Sequence, residues 1–165
     1  MKNIILALLI VPALAFSQKT MYKKKMDLKP SQMKMKVEAN IINQWEEYSK
    51  AFEYSDFEKI KSYFTYPVTL SLFDSPMIVH NENDLIRWYK EIRNNVQDSY
   101  KYSMLEKSRV IWVSKEICMV DATYSRFNDN YEKIFTGRGI YMYKMVGKAW
   151  KMFSMSGVEL NKNIK

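Results

Sequence analysis

One cysteine, one histidine and four glycines are all that the 165 residues hold of those types, and each shortage removes a class of explanation. A single cysteine forms no intrachain disulfide, so the fold has to be held by packing. Cys118 sits in the apolar run Ile117-Cys118-Met119-Val120, where a thiol behaves as a small buried hydrophobe and not as a nucleophile. With His80 as the only imidazole, metal sites built from two or more histidines are excluded. No GxSxG elbow is present, which argues against a hydrolase of that design, and no cofactor is expected. Acid is scarce as well: 18 Asp and Glu stand against 26 Lys and Arg, a net charge of +8. The excess is uneven, with seven lysines facing Asp27 alone between Gln18 and Val37. Scattered lysine without arginines, aromatic platforms or a recognisable module does not make a nucleic-acid site, so no nucleic-acid partner is expected.

Long apolar runs are missing after the first residues. The opening MKNIILALLIVPALAFSQ has Lys2 ahead of a thirteen-residue apolar stretch from Ile4 to Phe16, interrupted by Pro12. That is shorter than the roughly 20 residues a spanning helix needs, and Ala15 and Ser17 are the small residues a signal peptidase accepts. Residues 1–17 therefore read as a signal peptide, and the protein as exported, periplasmic or secreted, with no integral membrane segment after cleavage. Residues 18–33 read as a basic flexible leader, poor in apolar surface. Residues 34–160 have the length of one domain with one core, and 161–165 form a tail.

Within that domain the hydrophobic period changes along the chain. Val37, Ile41, Trp45, Tyr48 and Phe52 recur at steps of three and four and predict a helix from about Met35 to Tyr54. Ser55 with Glu58 has the spacing of a capping box and opens a short second helix carrying Phe57, Ile60 and Phe64 until Tyr66-Pro67 stops it. Val68 to Phe73 and Met77 to His80 then alternate around Asp74-Ser75-Pro76, as a small hairpin would. A third helix is expected over about 82–96, capped by Asn81 or Asn83, with Leu85, Tyr89, Ile92 and Val96 inward. Beyond Ser99 four strands follow, at about 100–113, 117–127, 131–145 and 149–160, broken at tight-turn sequences. Gly137 and Gly139 lie two apart on the third of these, hence on one face, and suit a bulge, a bend or a close approach.

Helix, short helix, hairpin, helix and a meander of long strands is the element order of the nuclear transport factor 2-like superfamily. The stretch SRVIWVSKEICMVDATYSRFNDNYEKIFTGRGIYMYKMVGKAWKMFSMS, residues 108–156, resembles the sheet half of its small stand-alone members through Val120, Arg126, Asn128, Tyr141, Gly147 and Trp150. The resemblance covers about residues 38–160. It implies an α+β fold in which three N-terminal helices pack on a strongly curved antiparallel sheet, a cone with a cavity between sheet and helices. It also implies kinship with ketosteroid isomerases, SnoaL-type polyketide cyclases and limonene epoxide hydrolases, which place an acid or base at the bottom of an apolar cone. Fold alone does not carry function.

Asp121, between Val120 and Ala122, is the candidate base if it faces the core; an ion pair with Arg109, Arg126 or Arg138, or exposure on the convex face, is the alternative. His80 is the other candidate for proton transfer. Arg126 and Arg138 flank the Asn128 hairpin and together would suit a carboxylate. Tyr66, Trp88, Trp112 and Tyr141 are candidates to line the cone, although aromatic core packing accounts for them equally well. Three readings follow: a non-catalytic exported cone holding a small apolar or carboxylated molecule, an isomerase or cyclase using Asp121, and a homodimer through the sheet with a filled cavity.

Overall fold

The computed structural model describes residues 29–72, 75–158 and 160. The signal reading of 1–17, the leader up to 28, Phe73, Asp74, Glu159 and the tail 161–165 lie outside the described residues.

Helix α1 spans Pro30–Glu53. It starts five residues before the expected Met35, because Pro30 occupies a first-turn position where its missing N–H costs nothing and the Lys29 N–H is satisfied by Gln32 Oε1 at 3.0 Å. The last part of the expected leader is thus helical, with Met33 and Met35 exposed. The stripe proper is buried at Ile41, Trp45, Tyr48, Ala51 and Phe52, each large side chain contributing about 1.5–3 kcal/mol on removal from water.

Helix α2, Phe57–Ser62, is capped by Asp56, which accepts from the Lys59 N–H at 2.9 Å. Ser55 cannot cap it because it turns the chain with a φ of 55°, whereas a capping residue needs extended backbone. The helix stops earlier than expected: Phe64 already belongs to strand β1, Phe64–Ser71, and Tyr66-Pro67, a cis peptide, lies within that strand. β1 pairs with β2, Met77–Val79, through Val68 opposite Val79. Helix α3, Glu82–Asn94, is capped by Asn81, whose Oδ1 accepts from the Asp84 N–H, and buries Leu85, Trp88 and Tyr89.

The four long strands fall close to their expected places: β3 Tyr102–Trp112, β4 Ile117–Phe127, β5 Lys133–Val146 and β6 Ala149–Val158. They form an antiparallel meander, and the complete sheet has the order β2-β1-β6-β5-β4-β3. The seam between hairpin and meander, β1 against β6, runs parallel. The inner face carries Cys118, Val120 and Ala122 of β4, Tyr141 and Tyr143 of β5 and Met152 and Met155 of β6, all buried. Gly137 and Gly139 open that same face. A Cβ at Gly137 would stand 2.6 Å from the Phe135 ring and 2.7 Å from the Tyr124 ring, so the glycine lets two aromatic rings lie over its strand.

Candidate functional site

Between the inner face of the sheet and helices α1 and α3 lies a cavity of about 60 Å³, open on one side. Helix α1 supplies Trp45, Tyr48, Ser49 and Phe52, and α3 supplies Tyr89 and Ile92. The sheet adds Ser103, Tyr124, Arg126, Tyr141 and Met155, and Leu72 closes the edge. Drug-sized ligands occupy about 300–1,000 Å³, so this space suits a few waters or a small molecule.

Its walls are aromatic and held by ring-edge contacts. Trp45 stands edge-on to Tyr141 at 5.8 Å, and Tyr48 edge-on to Tyr89 at 6.2 Å. The Tyr48 and Tyr89 hydroxyls are 2.7 Å apart, and Tyr48 Oη lies 3.7 Å from Met155 Sδ. In the arrangement that satisfies both contacts, Tyr89 donates to Tyr48 and Tyr48 donates to the sulfur. Burial, the largest cause, holds the Tyr48, Tyr89 and Tyr141 hydroxyls above the usual phenol range, so they serve as donors and not as bases. Among the described residues the buried Trp45 indole N–H has no hydrogen-bond partner by distance and angle, and it faces the Tyr141 hydroxyl, whose proton affinity it lowers.

Among the described residues, the only charged group lining the cavity is Arg126. Its guanidinium lies 5.2–5.8 Å from the centroids of Phe52, Tyr100, Tyr124 and Phe135, and its Nη1 donates to Gln97 Oε1 at 2.5 Å.

Asp121 does not reach this space. It stands on the outer face of the sheet, opposite Ile140 and beside Arg109, where Arg138 donates Nε to Oδ1 and Nη2 to Oδ2, both at 2.8 Å. Those bonds hold its carboxyl below the usual range, the opposite of what a general base near neutral pH requires. The expected pairing of Arg126 with Arg138 fails by parity. Inward positions on β5 are the odd ones, 135 to 143, so Arg138 faces out while Arg126 faces in. His80 is exposed between β2 and the start of α3, away from the cavity lining.

Among the aromatic candidates, Tyr141 lines the cone and three do not. The half-buried Tyr66 is on β1, its hydroxyl unpartnered and pushed up to about 12 by burial and then by Glu82. Trp112 donates to Glu38 Oε1 at 2.5 Å and packs edge-on against Trp150 at 5.5 Å. Trp88 borders a second, larger recess of about 190 Å³ with Met77, Ile78, Val79, Asp84, Arg87 and Glu91. That recess lies outside the cone, between the edge strand β2 and α3, and its Asp84 and Arg87 are already paired at 2.8 Å. Tyr48 and Tyr89, which read as core on their helical stripes, are cavity walls. The signal that marks them is a hydroxyl at a position otherwise occupied by apolar side chains.

Cys118 is fully buried, its thiol pushed up to about 11 by burial and then by Glu38. Among the described residues no group of three His, Cys, Asp or Glu could hold a metal ion, and no helix is long and apolar enough to cross a membrane.

Helices closing the mouth of a six-stranded curved sheet over an aromatic cavity define a cone fold of the NTF2-like class. Residues 38–159 match the family described as NTF2-like protein (DUF6841), and the chain belongs to it. The structure is similar to a protein of unknown function with a cystatin-like fold from Nostoc punctiforme, with a TM-score of 0.65 and 9% identity over 82% of this chain and 97% of that one. It is also similar to an NTF2-like protein of unknown function from Pseudomonas putida, with a TM-score of 0.62 and 10% identity over 77% and 91%. A third, from Xanthomonas campestris, is described as a putative calcium/calmodulin dependent protein kinase II association domain, with a TM-score of 0.57 and 9% identity over 75% and 88%. At these identities the likeness concerns the fold alone. No curated protein sequence matches the chain significantly.

Proposed function

We propose that this is an exported binding protein that holds one small apolar or carboxylated molecule in its cone and performs no proton-transfer chemistry on it. The observation that carries the reading is the composition of the cavity wall: rings, a thioether, protonated phenols and one cation, with no carboxylate and no imidazole among the described lining residues. An isomerase or cyclase of the Asp-base kind needs an unpaired base at the bottom of the cone, and Asp121 is paired on the other face of the sheet. Phenols provide hydrogen-bond donors and aromatic edges provide an apolar bed. Native mass spectrometry of the protein isolated from its own cell envelope tests this. A single small adduct, lost on denaturation, is expected; a bare protein mass together with no small-molecule stabilisation in thermal-shift screening would refute it.

A second reading, pairing of two copies through the outer sheet face, is favoured by one row of that face. Ile111, Met119 and Met142 lie side by side across β3, β4 and β5 and are half-buried in the single chain. Light scattering coupled to size exclusion gives the mass in solution, and a monomer at tens of micromolar would dismiss it.

A further inference from the structure

The chain has five arginines. Three are paired with carboxylates: Arg87 with Asp84, and Arg138 and Arg109 with Asp121. The remaining two, Arg93 and Arg126, have no ion pair among the described residues; Arg126 lines the cone, and Arg93 lies over Phe52, a ring that also lines it. Arg93, in the last turn of α3, lies 4.9 Å from the centroid of Tyr100 and 5.8 Å from that of Phe52. Arg126, near the end of β4, lies 5.4 and 5.8 Å from the same two rings. Two cations are therefore held by one pair of aromatic faces, and among the described residues the only side-chain hydrogen bond to either is from Arg126 to the neutral Gln97 amide. Among the described residues Arg93 has no side-chain hydrogen-bond partner, and the Nε–H of each arginine is buried and unpaired. Glu53 on α1 feels Arg93 only at a distance, alongside Lys101 and Lys50, and does not pair with it.

Like charges brought together out of water are unfavourable unless something neutralises them, and ring faces offset only part of that cost. A guanidinium whose Nε–H is free offers, together with a neighbouring Nη–H, two parallel donors matched to the two oxygens of a carboxylate. We infer that Arg93 and Arg126 form a two-arginine clamp for the carboxylate of a small organic acid whose apolar part enters the cone beside Tyr124 and Tyr141. This rests on reading the cone as a binding site and adds the ligand's chemical class and a second anchoring residue. A carboxylate fits better than a phosphate because the space behind the arginines is narrow and ring-lined, and the free donors come in flat pairs and not as a lysine or backbone cradle.

Isothermal titration with isobutyrate, its neutral isostere isobutyramide and inorganic phosphate, at constant ionic strength, tests the clamp. Isobutyrate should bind at least tenfold more tightly than either of the others. Arg93→Gln and Arg126→Gln should each weaken it about tenfold or more, whereas Arg138→Gln, on the outer face, should leave it unchanged. Arg93→Lys and Arg126→Lys keep the charge and guard against a folding defect; they too should lose most of the affinity, since an ammonium lacks the fork. Equal binding of acid and amide, preference for phosphate, an Arg93→Gln protein that binds as the parent does, or no isobutyrate binding at tens of millimolar would each overturn the clamp. If the molecule carried from the cell envelope is still retained in the Arg93→Gln and Arg126→Gln proteins, the holding role stands and only the clamp falls.

Discussion

Removing the Trp45 side chain probes packing and cavity at once. Trp45 is 3% exposed and touches Tyr124 at 6.0 Å and Tyr141 at 5.8 Å, so its indole is both core and wall. Truncation of a buried tryptophan to alanine costs about 3–5 kcal/mol, made up of the transfer free energy of the lost atoms and about 24 cal/mol for each Å³ left unfilled. The space left joins a cavity of about 60 Å³. The indole N–H has no partner, and a buried unsatisfied donor costs about 1–3 kcal/mol, which sets Trp45→Phe apart: it forfeits some contact but relieves that donor. Chemical denaturation should therefore show a loss of about 3 kcal/mol for Trp45→Ala and about 1 kcal/mol or less for Trp45→Phe. In a domain of this size 3 kcal/mol lowers Tm by roughly 6–12 °C. Benzene should raise the Tm of the alanine protein and not of the parent, since apolar cavities of about 150 Å³ take it up. An alanine protein that melts with the parent, or a phenylalanine protein that falls as far as the alanine one, would refute the placement of this side chain.

Asp121→Asn removes a charged partner of Arg138 on the outer face, where Arg138 is 40% exposed and partly screened; the expected cost is about 1 kcal/mol, with ligand retention unchanged. Because the folded-state carboxyl is held low, the parent's advantage over this variant is complete above the usual carboxylate range and is lost as pH falls through the lowered value; an advantage that did not shrink on acidification would contradict the ion pair. Gly137→Ala places a methyl 2.6 Å from the Phe135 ring and 2.7 Å from Tyr124, both of which surround Arg126, so it should cost about 1–3 kcal/mol and weaken isobutyrate binding in the same titration. Intact-mass measurement on protein from the cell envelope should give a chain beginning at Gln18, and retention of Met1 to Ser17 would dismiss the signal reading.

Much of the fold was legible because local periodicity and turn chemistry are written in neighbouring residues. The stripe Ile41, Trp45, Tyr48 and Phe52 is buried as its spacing requires, Asn81 caps α3, and β4 occupies Ile117–Phe127, its expected span. Errors came where a distant partner decided. Phe64 has a helical spacing from Ile60 but joins β1, because β6 offers it a strand to pair with, the Met152 N–H donating to Tyr63 O at 2.8 Å. The site was harder. Alternation along β4 says that Asp121 shares a face with Met119 and Thr123 and not with Val120. It does not say which face the helices cover, since Met119 and Val120 are both apolar.

Composition by itself determined that this chain has no intrachain disulfide, no metal site built from two or more of its own histidines and an excess of positive charge, and its periodicities determined most of the helices and strands. Tertiary structure alone decided that Asp121 is an outer ion-pair partner, that Arg126 faces inward while Arg138 faces outward, and that Arg93, 33 residues earlier in the chain than Arg126, shares its rings. The physical reason is that sheet parity and helix docking assign a side chain to a cavity or to solvent, and both depend on contacts between segments that have no neighbours in common along the chain.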